Sequence, residues 1–218
     1  MLFRSGQFLN SLRMLNNPDI AALLTRDEID FTQLRKKKIV LFLILPSRKK
    51  SLYRFIVNLF YTQFFAACME RLPMRNDLPI HVLYDEFGHS SIPDFEDIIT
   101  EIRKYQVSIS MILQEYAQLK KHYGETGAKT IIGGGTGSKL FYSGIDMDMA
   151  MIVERMLGKV KIKYHLNTGE IASKEENLMN ADRIRTMKDD HAIFITANKE
   201  PILLKTKPYF LQRIKLPQ

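Results

Sequence analysis

The sequence has a single cysteine, Cys68, and no apolar run long enough to cross a bilayer. One cysteine excludes a disulfide within the chain, and a protein without disulfides suits the reducing cytosol. A spanning helix needs about 20 predominantly apolar residues, so we expect no transmembrane helix in this sequence. The first residues also lack the apolar core of a signal peptide. These absences favour a cytoplasmic domain.

The sequence also lacks a phosphate-binding loop of the Walker A type. Such a loop carries glycine, lysine and then serine or threonine in that order, and it opens a helix after a strand. The glycine-rich stretch at 133–139 has the order glycine, serine, lysine, and the residues after it predict a strand. We therefore interpret 133–139 as a connection from a helix to a strand.

What the chain does have is size, apolar content and positive charge. It contains 218 residues, of which 45% are hydrophobic, and its formal net charge is +8. This length and composition support a domain with a real core. The positive excess favours an anionic partner, either nucleic acid or a membrane surface, without choosing between them.

Apolar blocks along the chain alternate between strand and helix patterns. Strands are predicted at 39–45, 80–85, 107–113, 139–143, 192–197 and 202–207, and helices at 52–72, 93–105, 116–123, 126–132 and 146–157. Strands separated by helices predict an α/β fold with a mainly parallel sheet, in which the last two strands form an antiparallel edge. Residues 1–35 have a helical pattern, and a run of four basic residues at 35–38 separates them from the first strand.

The predicted strand at 80–85 runs into two adjacent carboxylates, Asp85 and Glu86, and Phe87-Gly88 follows them. This is the pattern of a Walker B element in a nucleotide-hydrolysing protein. At the end of the strand Asp85 could hold Mg²⁺ through water, and Glu86 could orient an attacking water. The alternative is a buried strand that ends in a solvated acidic turn.

Gln114 ends the next predicted strand, and Arg103 lies in the helix between the two strands. A polar side chain at the neighbouring strand end can sense a terminal phosphate, so Gln114 is a candidate site residue. Its alternative role is to cap the helix that follows. For Arg103 the alternative is an ordinary solvated cation paired with Glu101 or another nearby carboxylate.

The residues at 159–173 alternate between polar and apolar around Asn167-Thr168-Gly169, which predicts a β-hairpin. Alternation with a period of two places Lys159, Lys161 and Lys163 on one face of the first strand. We expect this face to contact nucleic acid with little sequence specificity; the alternative is a solvated strand face.

Several separate motifs, in this order along the chain, resemble the TraG/TraD-type coupling proteins of type IV secretion and conjugation. They lie at 83–88, 92–95, 109–114, 116–119, 123–131, 140–142, 178–184 and 193–209. The resemblance implies that 36–218 is the C-terminal part of a RecA-like P-loop NTPase motor domain. It also implies that 1–35 is the end of that family's inserted all-α subdomain.

The resemblance further implies a function. Family members are typically hexamers anchored in the inner membrane, and they use ATP and Mg²⁺ to move DNA with attached protein towards the secretion channel. By matching position Asp85 is the magnesium carboxylate, Glu86 the catalytic carboxylate and Gln114 the sensing glutamine, all three lining the nucleotide. Arg103 falls where the family places a proposed arginine finger that acts on a neighbouring subunit. The implied partners are DNA, relaxosome proteins, channel components and further copies of the chain.

The sequence departs from the family in lacking the Walker A loop, the transmembrane helices and the first part of the all-α subdomain. We therefore interpret it as a fragment that carries half of an ATP site and is inactive as an ATPase alone. Two other readings stay open. One is a non-catalytic module that binds DNA or relaxosome protein and has a vestigial nucleotide site, and the other is a related hexameric DNA translocase.

Overall fold

The structure is a computed structural model that describes residues 16–26, 28–46, 50–89, 91–167 and 170–211. The described residues fall into two compact units, one within 1–114 and 120–131 and the other within 115–119 and 132–218. Residues 16–35 belong to the first unit together with the strands that follow them. The proposed boundary after residue 35 therefore stays a prediction.

The first unit is built around two parallel strands and the helices that pack on them. Its elements are helix α1 (Pro18–Leu23), a 3-10 turn (Phe31–Arg35), α2 (Lys50–Met69), strand β1 (Ile80–Tyr84), α3 (Phe95–Glu101) with a 3-10 extension (Ile102–Tyr105), and β2 (Val107–Met111). Helix α4 (Tyr116–Thr130) supplies its second half to this unit. β1 and β2 pair in parallel, with Ile80 opposite Val107 and Tyr84 opposite Met111. This pair confirms the predicted parallel βαβ unit.

Strand pairing among the described residues of the second unit is antiparallel. Its elements are a π-helical turn (Ile131–Gly135), β3 (Ser138–Tyr142), α5 (Met147–Leu157), β4 (Lys159–His165), β5 (Ile171–Asn177), α6 (Ala181–Arg185), β6 (His191–Thr196) and β7 (Ile202–Lys205). Strands β3, β6 and β7 form one antiparallel sheet in that order, and β4 pairs with β5 as the predicted hairpin. Residues 168–169 of the hairpin turn lie outside the described residues.

The core of the first unit is aromatic. Phe87 and Phe95 are fully buried, and their ring centroids lie 4.7 Å apart. The ring of Tyr123 stacks parallel to that of Phe87, with 5.8 Å between the ring centroids. The ring centroid of Phe65 in α2 lies 6.2 Å from that of Phe95. Because Phe87 directly follows the two candidate carboxylates, this cluster fixes the turn that carries them.

The prediction of a strand at 39–45 is wrong for this structure. The segment is extended and exposed, and no ladder hydrogen bonds are assigned to it; Val40, Phe42 and Ile44 are 77%, 78% and 83% exposed. Residues of the segment, of β1 and of α2 together line a cavity of about 750 Å³. An apolar, β-rich sequence forms a strand only where a neighbour supplies hydrogen-bonding partners. Here the segment has no strand pairing among the described residues.

Two helix boundaries differ from the sequence prediction. The predicted helix at 93–105 begins at Phe95, because Asp94 takes a left-handed conformation (φ +53°), and it tightens into a 3-10 turn after Glu101. The helices predicted at 116–123 and 126–132 form one segment that breaks at Gly124, where φ is +68°. Glycine adopts this conformation without steric cost. None of the described helices is long and apolar enough to span a membrane.

Candidate functional site

The two carboxylates lie in the turn that follows β1. The backbone pairing with β2 continues past the strands, because Ile112 N–H donates to the Tyr84 carbonyl and Phe87 N–H donates to the Ile112 carbonyl, each at 3.0 Å. Within the turn, Glu86 N–H donates to Asp85 Oδ1 at 2.9 Å. The pairing holds Asp85 and Glu86 at the carboxyl end of β1, the end where open α/β sheets bind ligands.

Glu86 has a left-handed backbone conformation, with φ at +53°. Such a conformation is uncommon for residues other than glycine, and it persists only where the surroundings enforce it. Phe87, fully buried against Tyr84, Phe95 and Tyr123, provides that enforcement. Strain of this kind clusters at functional sites, which supports a role for the half-buried Glu86 side chain.

Gln114 lies at the same end of the strand pair. Tyr84 and Met111 are the last residues of their strands and lie opposite each other. Asp85 is the first residue after Tyr84, and Gln114 is the third after Met111. The Gln114 side chain is exposed. The structure therefore brings Asp85, Glu86 and Gln114 to one end of two adjacent parallel strands, and a ligand at that end could contact all three.

The donor set fits Mg²⁺ bound together with phosphate groups. No cluster of three or more histidine, cysteine or acidic side chains that could hold a metal occurs among the described residues. Mg²⁺ in phosphate sites needs only one or two carboxylates, because water and phosphate oxygens complete its octahedron. Asp85 and Glu86 supply carboxylates of this kind, whereas a purely protein-bound metal site does not fit.

Arg103 lies at the other end of β2. It belongs to the 3-10 turn Ile102–Tyr105 before the strand, so β2 alone places it roughly 13 Å from the end that carries Gln114. Its side chain is exposed, and it has no ion pair within the described part of the chain. Glu101, one of the carboxylates that could pair with it in its alternative role, instead binds Lys104 at 2.7 Å. Arg103 is therefore not part of the same cluster as Asp85 and Gln114.

The glycine-rich stretch before β3 forms a π-helical turn and not a phosphate loop. Lys139 of β3 turns back on it, and its Nζ donates to the carbonyls of Thr136 at 2.6 Å and Gly133 at 3.3 Å. Partial burial lowers the pKa of Lys139. This lysine stabilises the turn internally, as expected for a helix-to-strand connection.

The three lysines of β4 share one face of the hairpin, as their alternation predicts. They lie in the second unit, whereas Asp85, Glu86 and Gln114 belong to the first. Tyr123 begins one of the motifs that carry the family resemblance, but the sequence assigns it no role in the site. In the structure its hydroxyl accepts a hydrogen bond from Ile92 N–H at 2.8 Å, and its ring stacks on that of Phe87.

Comparison with known proteins decides the family. A sequence profile described as type IV secretory system conjugative DNA transfer matches residues 5–217, nearly the whole chain. The chain belongs to this family of conjugative coupling proteins. The predicted resemblance is therefore confirmed.

Relatives of this chain include VirD4 proteins. That of Rhizobium radiobacter is 21% identical over 214 residues, which cover 93% of this chain and 31% of the relative. That of Agrobacterium fabrum is 20% identical over 215 residues, covering 93% of this chain and 32% of the relative. The chain thus spans about a third of the length of the relatives it matches.

Solved structures of the coupling protein TrwB have the same fold. An unbound form lacking its N-terminal segment matches 74% of this chain and 39% of its own length, with a TM-score of 0.63 and 16% identity. A complex of TrwB with ADP and Mg²⁺ matches 75% of this chain and 38% of its own, with a TM-score of 0.62 and 16% identity. The predicted RecA-like α/β fold is confirmed by this similarity.

Proposed function

We propose that this chain is the C-terminal part of the motor domain of a coupling ATPase, which hydrolyses ATP to move DNA and attached protein to a secretion channel. The observation that carries the proposal is the parallel register of β1 and β2, which brings Asp85, Glu86 and Gln114 to one strand end. Membership in the conjugative DNA transfer family supports the DNA substrate. The similarity to TrwB, solved with ATP and GTP analogues and with ADP and Mg²⁺, supports the nucleotide.

In this proposal each side chain has one role. Asp85 would hold Mg²⁺ through water, and Glu86 would orient the attacking water and accept its proton. Gln114 contacts the terminal phosphate from the neighbouring strand end. Bound Mg²⁺ supplies charge neutralisation for the phosphates. The backbone cradle and lysine of a Walker A loop are absent from these 218 residues and must come from another segment of the motor.

Arg103 completes a site on a neighbouring subunit. Because it lies at the opposite end of β2 from Gln114, we infer that it acts on a nucleotide other than the one held by its own strand ends. Its exposed guanidinium, without an ion pair among the described residues, is available to a second copy. We infer a ring of six copies, as the family resemblance implies, with each arginine directed at the next subunit's site.

The remaining parts of the proposal concern location and partners. We propose that this segment lies on the cytoplasmic side of the inner membrane, with any anchor supplied by another part of the protein. Relaxosome proteins and components of the secretion channel are the expected protein partners. The non-catalytic alternative keeps these partners but removes hydrolysis, so an ATPase measurement separates the two.

The test compares Glu86→Gln with a matched control, Glu125→Gln, in the whole coupling protein. Glu125 is an exposed carboxylate of α4 that pairs with Lys129 at 3.2 Å, so its replacement removes the same charge away from the site. We expect Glu86→Gln to reduce turnover by at least about 10²-fold with ATP binding largely intact, and the control to retain both. Residues 1–218 alone should show no meaningful ATPase.

Two results would contradict the proposal. Undiminished turnover by Glu86→Gln would remove Glu86 from catalysis and favour the non-catalytic module. Robust hydrolysis by residues 1–218 alone that depends on Glu86 would show that the chain carries a complete site of another design.

A further inference from the structure

The hairpin formed by β4 and β5 is a two-stranded ribbon that pairs with no other described strand. All seven residues of β4 are exposed. The ribbon is attached at its base, where Leu178 N–H donates to the Gly158 carbonyl at 3.0 Å and Asn177 Nδ2 donates to Glu154 Oε1 at 2.6 Å. Every residue of the two strands is exposed except Ala172, which is half-buried.

The two faces have different chemistry. Residues directly opposite each other in an antiparallel pair share a face. The lysine face consists of Lys159, Lys161, Lys163, His165, Ile171, Ser173, Glu175 and Asn177. The other face carries Val160, Ile162 and Tyr164, which are 39%, 42% and 45% exposed, together with Ala172, Lys174 and Glu176.

Positive charge on the lysine face is only partly neutralised. The one carboxylate there, Glu175, lies 4.0 Å from Lys161, the outer limit of an ion pair, and both side chains are more than half exposed. Lys159 and Lys163 have no ion pair within the described residues. On the opposite face Lys174 is paired with Glu176 at 3.1 Å. The lysine face therefore presents two unpaired cations and a third that is weakly paired.

We propose that the lysine face of the ribbon binds the phosphate backbone of duplex DNA without reading its sequence. Alternate residues of a strand lie about 6.8 Å apart, so the Cα atoms of the three lysines form a regular row. Each carries its ammonium group on a flexible side chain. The major groove of B-DNA is about 12 Å wide and admits a two-stranded ribbon. The choice of DNA as the partner rests on the proposed coupling function, but binding of DNA to the ribbon requires no nucleotide hydrolysis.

The arrangement favours duplex over single-stranded DNA. Proteins that hold single strands combine a basic groove with aromatic rings on which bases stack. The lysine face has no phenylalanine, tyrosine or tryptophan, because the ribbon's only tyrosine, Tyr164, belongs to the other face. Lysine contacts with phosphate supply affinity without sequence information.

The test measures binding of the chain to a fluorescent duplex of mixed sequence over a series of salt concentrations. Each phosphate contact contributes about 0.9 to the slope of log affinity against log salt concentration. We expect the triple change K159Q/K161Q/K163Q to reduce that slope by about 2 to 3. Replacement of all three by arginine should preserve it, which separates lost charge from a damaged hairpin.

Two matched variants sharpen the test. The control K129Q/K174Q/K205Q also removes three positive charges, but from exposed lysines that are already paired with Glu125, Glu176 and Asp190. The salt dependence of its DNA binding should therefore stay close to that of the wild type. Glu175→Gln removes the only carboxylate of the lysine face and should tighten binding several-fold. A generic effect of net charge would weaken binding equally in both triple variants.

The proposal is overturned if K159Q/K161Q/K163Q leaves the slope unchanged, or if the control triple reduces it as much. Tighter lysine-dependent binding to a single strand of the same sequence would overturn the assignment to duplex DNA. Neither outcome bears on Glu86-dependent hydrolysis, and a failure of that ATPase test leaves this binding measurement unaffected. The two proposals can therefore fail separately.

Discussion

Asp85 and Gln114 follow the carboxyl ends of two adjacent parallel strands, one residue and three residues beyond the opposed pair Tyr84 and Met111. Sheet pairing alone thus places a carboxylate and an amide 29 positions apart in sequence at one end of the first unit. The buried ring of Phe87 holds the intervening turn. This end therefore has both a polar surface and a rigid support, as a preorganised phosphate site requires.

We predict that Arg35→Ala destabilises the chain by about 2 to 4 kcal/mol. Arg35 is 6% exposed, and its Nη2 donates to the carbonyls of Tyr105 at 2.7 Å and Cys68 at 3.1 Å. The side chain thus joins the end of α2 to the turn before β2, and its removal leaves two carbonyls without their donor. Urea unfolding, followed by circular dichroism, gives the free energy of unfolding.

The control for Arg35 is Arg26→Ala. Arg26 makes an ion pair with Glu28 at 3.5 Å, with both side chains at least 71% exposed, so its loss should change the free energy of unfolding by less than about 0.5 kcal/mol. Equal destabilisation by the two variants would show that the buried hydrogen bonds of Arg35 contribute nothing measurable.

We predict that Asp77 makes stability depend on acid pH. Hydrogen bonds from the Arg71 guanidinium at 2.6 and 3.3 Å and from Met74 N–H lower the pKa of Asp77 from 3.8 to about 2. Because the unfolded chain takes up this proton at the higher pH, the ion pair stabilises the fold above pH 3.8, and this contribution disappears as the pH falls towards 2.

The measurement for Asp77 is the free energy of unfolding between pH about 6 and about 2. Asp77→Asn should remove part of the decline seen in the wild type, whereas Glu28→Gln, at an exposed pair, should leave the decline unchanged. A decline of the same size in Asp77→Asn and the wild type would exclude this residue as a source of the acid sensitivity.

Local pattern predicted most of the elements. β1, β2 and the hairpin follow from apolar or alternating runs bounded by turn residues, and their observed ends lie within a few residues of the predicted ones. The helices predicted at 116–123 and 126–132 meet at Gly124, whose observed conformation suits glycine. In these cases the chain's own short-range chemistry determines the structure.

The segment at 39–45 shows where local pattern fails. Its apolar, β-rich sequence matches a buried strand, yet Phe42 and Ile44 remain exposed and the segment pairs with no described strand. Strand formation depends on a partner within hydrogen-bonding distance, and periodicity carries no information on that distance. Similarly, the left-handed conformation of Glu86 and the support of Phe87 by Tyr123 result from tertiary packing, which spacing along the chain does not encode.

The last prediction is that Arg103 acts on a neighbouring subunit. An arginine delivered in trans stabilises the charge of a transferring phosphoryl group and contributes about 10³-fold or more to turnover. In the whole coupling protein, Arg103→Ala should therefore lower ATPase activity by about this factor while ATP binding and assembly persist. Lys104→Ala is the matched control, because Lys104 is the adjacent cation but is paired with Glu101.

Mixed rings provide the decisive measurement. The Arg103→Ala subunit keeps an intact Glu86, and the Glu86→Gln subunit keeps an intact arginine. If the arginine acts across the interface, rings that contain both variants should regain part of the activity that each variant lacks alone. If the arginine acts within its own subunit, no site in the mixed ring has both groups, so mixed rings that assemble and remain inactive would exclude the trans role.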